Sequence, residues 1–190
     1  MTALIGFVFF GLFSPGPNVI LLTASGARFG FRPTLPHLFG VAVGVGIIAF
    51  VTGLGLGALI NAAPILRMAL MIIASGWILW VAWKLWCAEP LQAKGADQPF
   101  TFIQAVLFQW VNPKIWAISV AALAMVSDLQ PMAQAAILGA AFSVTNLGVC
   151  LFWTYAGSLL KTLLNDPVKW RIFMRTMAVA LAIFSSLVFL

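Results

Sequence analysis

Lys114 is the residue of this sequence with the clearest capacity for chemistry, because it lies in the middle of the predominantly apolar stretch 101–125. If that stretch crosses a membrane, an ammonium at its centre costs at least about 2.5–3.5 kcal/mol unless it is paired or hydrated. We therefore expect Lys114 to face an aqueous cavity or a substrate, where it would balance a carboxylate. The alternative is that it donates hydrogen bonds to carbonyls freed by a helix break, and the two roles are compatible.

Two proline motifs interrupt apolar stretches at corresponding places in the two halves of the chain. The first reads SPGPN at 14–18 and the second reads QWVNPK at 109–114. A proline removes one amide donor and clashes with the carbonyl one turn earlier, so each motif predicts a broken helix. The N-terminus of the half-helix that follows carries partial positive charge and suits an anionic substrate group. One break alone could be a simple kink, but two in equivalent positions favour a binding site.

The predicted substrate contacts come from these two breaks and from one further polar residue. Asn146 is included because it lies in the middle of a later apolar stretch, although a hydrogen bond between helices would explain it equally well. The predicted substrate-binding residues are Pro15, Gly16, Pro17, Asn18, Asn112, Pro113, Lys114 and Asn146.

The composition identifies the elements that must position these residues. Of the 190 residues, 63% are hydrophobic and only 7% are charged, whereas a soluble domain carries about 25% charged residues. Backbone polar groups in a bilayer must be paired internally, and the apolar runs are long and continuous, so helices are predicted rather than a barrel. The composition therefore predicts an all-α integral membrane protein embedded in a lipid bilayer.

Six transmembrane segments can be placed, since about 20 apolar residues cross the hydrocarbon core. The gap at about 87–100 is the one long hydrophilic stretch, and it divides a single transmembrane domain, 1–190, into repeats at about 1–86 and 101–190. Three helices in each half predict two inverted repeats whose first helices, the first and fourth of the chain, are broken near the midplane. The predicted segments are 3–25, 38–60, 65–86, 101–125, 132–159 and 171–190.

The cations predict an orientation. Only Arg67 belongs to the even-numbered loops, and Lys114 is left aside as intramembrane. The positive-inside rule then places loops one, three and five in the cytoplasm and both termini outside. The cations in or beside the odd-numbered loops are Arg28, Arg32, Lys84, Lys94, Lys161, Lys169, Arg171 and Arg175.

Several other functions lack the residues they need. The cations are too scattered for a nucleic-acid surface, so no nucleic-acid partner is predicted. Cys87 and Cys150 lie far apart without a CxxC motif, and His37 is the only histidine, so we predict no enzyme activity, metal site or cofactor. Glycines at helical spacing, such as Gly40 and Gly44, favour close packing of helices, and the same spacing could build a homodimer.

These motifs, in this order, resemble those of the lysine-exporter (LysE/RhtB) family over essentially the whole chain. The resemblance implies six helices and efflux of amino acids across the bacterial cytoplasmic (inner) membrane, energised by the proton motive force. Many relatives carry an acidic residue after the glycine that matches Gly44, where this chain has Val45. The four acidic residues of the chain lie in predicted loops or at helix ends, so proton coupling does not follow from the residues. The motifs are Pro15-Gly16-Pro17, the glycines Gly26, Gly30, Gly40 and Gly44, and Asn112-Pro113-Lys114.

The sequence thus predicts a secondary transporter that exports amino acids or related small carboxylate-bearing metabolites by alternating access. One alternative is the export of another solute such as a metal cation, which the lack of clustered ligands disfavours. Another is a membrane protein that does not transport, which would leave two polar breaks without a role.

Overall fold

Eight α-helices and one short 3-10 turn form the computed structural model, which describes residues 1–56, 64–88, 98–163 and 166–187 and has no strand among them. The predicted loop at about 87–100 lies largely outside the described residues. The helices are α1 (Thr2–Phe13), α2 (Pro17–Phe29), α3 (Phe31–Gly53), α4 (Pro64–Trp86), α5 (Phe102–Trp110), α6 (Pro113–Leu123), α7 (Pro131–Leu163) and α8 (Pro167–Leu187), with the 3-10 turn at Ala124–Val126.

Both predicted helix breaks are present. Helices α1 and α2 meet at a bend of 58°, and α5 meets the segment Pro113–Val126 at a bend of 63°. Pro17 and Pro113 are the first residues of the helices that follow, a position where the missing N–H would lack an intrahelical acceptor in any case. Each proline therefore ends one half-helix and begins the next.

At least two of the described helices could cross a membrane. The spans Phe31–Gly53 and Pro131–Leu160 each contain a stretch of 18 residues that is predominantly apolar, with mean hydropathies of 2.0 and 1.9. Each bent pair, α1 with α2 and α5 with α6, is long and apolar enough to form one further span. The described residues thus confirm the predicted all-helical fold with at least two helices that could span a membrane.

The predicted loop between the first two segments, 3–25 and 38–60, is wrong, because nearly all of it is helical. Only Gly30 separates α2 from α3, and Arg32, Pro33 and Pro36 lie inside α3. Gly30 has φ 93°, a conformation that glycine adopts without strain, so the chain turns within one residue. Pro33 lies in the first helical turn, where no intrahelical donor is needed, and Pro36 removes a single hydrogen bond.

Helices α3 and α7 pack closely at the centre of the fold. A Cβ atom at Gly44 would lie 2.7 Å from Cγ of Gln109 in α5, and one at Gly53 would lie 2.5 Å from Cα of Ala135 in α7. The predicted packing role of these glycines is confirmed within the chain, while Gly57, another glycine of the series, lies outside the described residues. A homodimer stays a prediction.

Each broken helix packs on the long helix of the other half of the chain. Helix α2 packs along α7, α5 and α6 pack along α3, and α4 packs against α8. The contact of α2 with α7 is a backbone contact, because a Cβ atom at Gly26 would overlap the carbonyl of Thr154 and one at Gly157 would overlap the carbonyl of Thr23. This packing brings the two breaks together.

Candidate functional site

A cavity lies where the two helix breaks meet α7. Five of the eight predicted site residues line it: Gly16, Asn18, Asn112, Lys114 and Asn146. It encloses about 320 Å³ of space between protein atoms, counted with the part that opens to solvent, and only a small fraction of that space has room for a water molecule. In this conformation the cavity is therefore too small to hold a solute.

The N-termini of both second half-helices point to this cavity. Gly16 is the N-cap of α2 and Asn112 is the N-cap of α6, and both residues line the cavity. The first N–H groups of a helix have no intrahelical acceptor and concentrate partial positive charge. The three prolines do not line the cavity: Pro17 and Pro113 start the half-helices, and Pro15 precedes the first of them.

Lys114 crosses from one break to the other. Its Nζ donates hydrogen bonds to the carbonyl oxygens of Ser14 and Pro15, at 3.3 Å for Pro15. These carbonyls belong to the break that follows α1, so the role of Lys114 as a partner of freed carbonyls is observed. An ammonium has three N–H donors, so one is left for a ligand in the cavity. A role as partner of a substrate carboxylate is compatible with this geometry.

Gly16 makes room for the lysine. A Cβ atom at Gly16 would lie 2.7 Å from Cδ and 2.9 Å from Nζ of Lys114. The backbone of Gly16 is extended, with φ −179° and ψ 179°, which any residue adopts. Space for Lys114, rather than backbone conformation, thus explains the glycine of the Pro-Gly-Pro motif.

A second connection between the breaks is made by side-chain amides. Asn18 Nδ2 donates to Gln109 Oε1 at 2.8 Å, and Gln109 Nε2 donates back to Asn18 Oδ1 at 3.1 Å. Gln109 Nε2 also donates to the Ala105 carbonyl oxygen at 3.0 Å, and Asn112 Nδ2 approaches Gln109 Oε1 at 3.4 Å. Gln109 is fully buried and holds the two breaks together at this point.

The two connections are arranged reciprocally. Asn18 and Lys114 each directly follow the proline that opens the second half-helix of their break. Each side chain reaches across to the end of the first half-helix in the other break. The same position in each break thus performs the same task with a different side chain.

Helix α7 forms the remaining wall of the cavity. Asn146, Val149, Cys150 and Trp153 line it at helical spacings of three, four and seven residues, which places them on one face of the helix. Three polar atoms of the lining residues are buried without a hydrogen-bond partner: Asn112 Oδ1, Asn146 Nδ2 and Trp153 Nε1.

Gln109 and seven of the residues that line the cavity were not predicted from the sequence. Gln109 had a visible signal, since it is an amide in an apolar half-helix immediately before the second break. Trp153 and Cys150 had none, because an apolar or aromatic residue in a membrane helix reads as packing. Among the described residues, no group of three or more His, Cys, Asp or Glu side chains could hold a metal ion.

Comparison with known proteins finds transporters among the relatives of this chain. The family model of the LysE type translocators matches residues 9–190. A cysteine/O-acetylserine efflux protein of Escherichia coli strain K12 is 29% identical over 161 residues, which cover 80% of each chain. A cysteine/O-acetylserine efflux protein of Salmonella paratyphi A is 27% identical over 150 residues, which cover 77% of this chain and 76% of the relative. No solved structure matches the chain.

Proposed function

This chain belongs to the LysE type translocator family, and we propose that it exports small amino acids or related carboxylate-bearing metabolites from the bacterial cytoplasm. It is a membrane transporter and not an enzyme. Its relatives from Escherichia coli and Salmonella paratyphi A are cysteine/O-acetylserine efflux proteins, which supports this class of substrate.

One observation carries the proposal: two half-helix N-termini and a lysine converge on one cavity between the breaks. All three favour negative charge in a region of low dielectric constant, where such attraction is strong. A carboxylate is the anionic group that every amino acid offers. The proposed contacts are the five predicted residues that line the cavity, namely Gly16, Asn18, Asn112, Lys114 and Asn146. The other three predicted residues, Pro15, Pro17 and Pro113, are proposed to shape the breaks.

The proposed architecture is six transmembrane helices in two inverted repeats. The repeats are supported by the equivalent breaks, by the reciprocal hydrogen bonds of Asn18 and Lys114, and by the packing of each broken helix on the long helix of the other half. In such transporters the site between repeats is reached alternately from each side of the membrane. A cavity too small to hold a solute suits a state of that cycle in which the site is closed.

The proposed location is the inner membrane with both termini outside. The distribution of cations in the sequence supports this orientation. Cys87 offers a direct test, because it is exposed at the end of α4, on the predicted cytoplasmic side, whereas Cys150 is buried. A membrane-impermeant maleimide should label Cys87 in inside-out vesicles and not in intact cells. Labelling in intact cells would reverse the proposed orientation.

Export itself is tested by comparing extracellular amino acids, by mass spectrometry, between cells producing the protein and cells producing Lys114→Ala. We expect the variant to lose at least about tenfold in export, because removing a transition-state or ligand contact of about 1.4 kcal/mol has that effect. Lys84→Ala is the matched control, since Lys84 lies over the ring of Trp80 on α4 and away from the cavity. Normal export by a well-inserted Lys114→Ala variant would remove the site assignment.

A further inference from the structure

We infer that the cavity distinguishes amino acids from the corresponding acids without an amino group, and that the side-chain oxygen of Asn112 makes this distinction. The inference rests on the proposed function and adds to it the recognition of the substrate amino group. It comes from the unpartnered polar atoms of the cavity, each of which offers a hydrogen-bond donor or acceptor to a ligand.

The hydrogen-bond network shows which atom of Asn112 is free. Gln109 Nε2 donates to the Ala105 carbonyl and to Asn18 Oδ1, so Gln109 Oε1 must be the acceptor of this amide. Asn112 faces that oxygen with its Nδ2, because two facing oxygens would repel. The atom left over is Oδ1, which can only accept a hydrogen bond. The Ala105 carbonyl thus fixes the orientation of the Gln109 amide, which in turn fixes that of the Asn112 amide. The free atom of Asn112 is therefore a hydrogen-bond acceptor.

The side-chain oxygen of Asn112 is a buried acceptor at the cavity wall, where a hydrogen-bond partner is expected. Asn112 is fully buried, and its Oδ1 has no hydrogen-bond partner. Buried acceptors are nearly always paired, and an unpaired one at a cavity wall indicates a missing water or ligand. The α-ammonium of an amino acid is a triple donor with a positive charge, and a hydrogen bond from a charged donor is stronger than one from a neutral donor.

The substrate carboxylate needs hydrogen-bond donors, and these lie elsewhere in the cavity. Asn146 Nδ2 and Trp153 Nε1 are buried donors without partners, both on the α7 face. Lys114 keeps one N–H beyond the two that it donates to Ser14 and Pro15. A carboxylate has two oxygens with about four acceptor sites and can take up these donors. One acceptor and three donors thus match the two ends of a zwitterion.

The rest of the lining restricts the side chain of the substrate. It is apolar or weakly polar, and none of the described lining residues is acidic. A basic side chain would find no counter-charge there. The lining therefore favours amino acids with a neutral side chain. The apolar lining residues are Leu12, Val19, Leu22, Ile115 and Val149.

The test measures binding of L-cysteine and of 3-sulfanylpropanoate, which is cysteine without its amino group, by calorimetric titration of the purified protein in lipid nanodiscs. The protein should bind cysteine at least about tenfold more tightly than the deaminated acid, a difference of about 1.4 kcal/mol. In Asn112→Leu this ratio should fall to about threefold or less. In Asn146→Leu both ligands should weaken by similar factors, because both carry the carboxylate, and the ratio should persist.

Asn112→Asp keeps the inference testable if Asn112→Leu does not fold. In its neutral acid form the aspartate donates to Gln109 Oε1 through one oxygen and keeps the other as an acceptor, so the ratio should stay the same. Loss of the ratio in Asn112→Asp, or its persistence in a folded Asn112→Leu, would overturn the role of Asn112 while leaving the proposed function intact. Absence of cysteine binding and cysteine export in the unmodified protein would instead overturn the proposed function for this substrate, and the inference with it.

Discussion

Replacing Gly16 by alanine should impair the protein mainly through Lys114. The added Cβ would lie 2.7 Å from Cδ and 2.9 Å from Nζ of Lys114, so the end of the lysine must move. Its hydrogen bonds to the carbonyls of Ser14 and Pro15 would then be weakened or lost. Because the backbone at Gly16 is extended, alanine brings no conformational strain there.

The size of this effect can be worked out from its two parts. Alanine is a poorer N-cap than glycine by about 1 kcal/mol. Hydrogen bonds between membrane helices contribute about 0.6 kcal/mol on average and up to about 1.7 kcal/mol, and two are affected. Gly16→Ala should therefore lower the free energy of unfolding by about 2–4 kcal/mol. In a Lys114→Ala background only the loss of about 1 kcal/mol at the cap should remain.

The assay is a double-mutant cycle on the purified protein, with Gly16→Ala, Lys114→Ala and the double variant unfolded by heat or denaturant. Gly148→Ala is the matched control, since a Cβ atom there meets nothing within 4 Å and alanine favours the helix. It should leave stability unchanged or slightly raised. If Gly16→Ala costs the same, within about 0.5 kcal/mol, with and without Lys114, the steric argument is refuted.

Two further substitutions test the contacts that bring the breaks together. Gly157→Ala should lower the free energy of unfolding by about 3 kcal/mol or more, at the upper end of overpacking costs. The reason is that its Cβ would overlap the backbone carbonyl of Thr23. A free energy of unfolding close to that of the unmodified protein would contradict the close approach of the two helices. Asn18→Leu and Gln109→Leu should show a coupling of about 1–2 kcal/mol in a second double-mutant cycle, because two reciprocal hydrogen bonds join these side chains. Additive losses would show that the amide pair does not connect the two breaks.

The helix breaks could be predicted from the sequence because proline acts locally. Pro17 and Pro113 each remove a donor that a continuous helix needs, whatever surrounds them, and both begin new helices in the structure. The same local rule failed at Pro33 and Pro36. There the helix had only just begun, so one proline removed no hydrogen bond and the other removed one, and neither was enough to end it.

The site could be predicted only in part, because a cavity is made by contacts between distant residues. Lys114 was predicted from the cost of burying a charge, which depends on its place in the sequence alone. Its acceptors at 14 and 15, about 100 residues earlier, could be offered only as one of two alternatives. Trp153 and Cys150 line the cavity because of how α7 is rotated, and nothing in their residue types records that rotation.

The backbone contact between α2 and α7 has a mechanical consequence. Gly26 and Gly157 let the two helices touch without intervening side chains, and such a contact allows little sliding or rotation. We therefore expect Asn18 on α2 and Asn146 on α7 to travel together as one rigid wall when the transporter turns over. We expect the surfaces to separate on the side of α6, where Lys114 would have to break its hydrogen bonds to the carbonyls of Ser14 and Pro15. The rate of the transport cycle would then depend on how readily these two hydrogen bonds break.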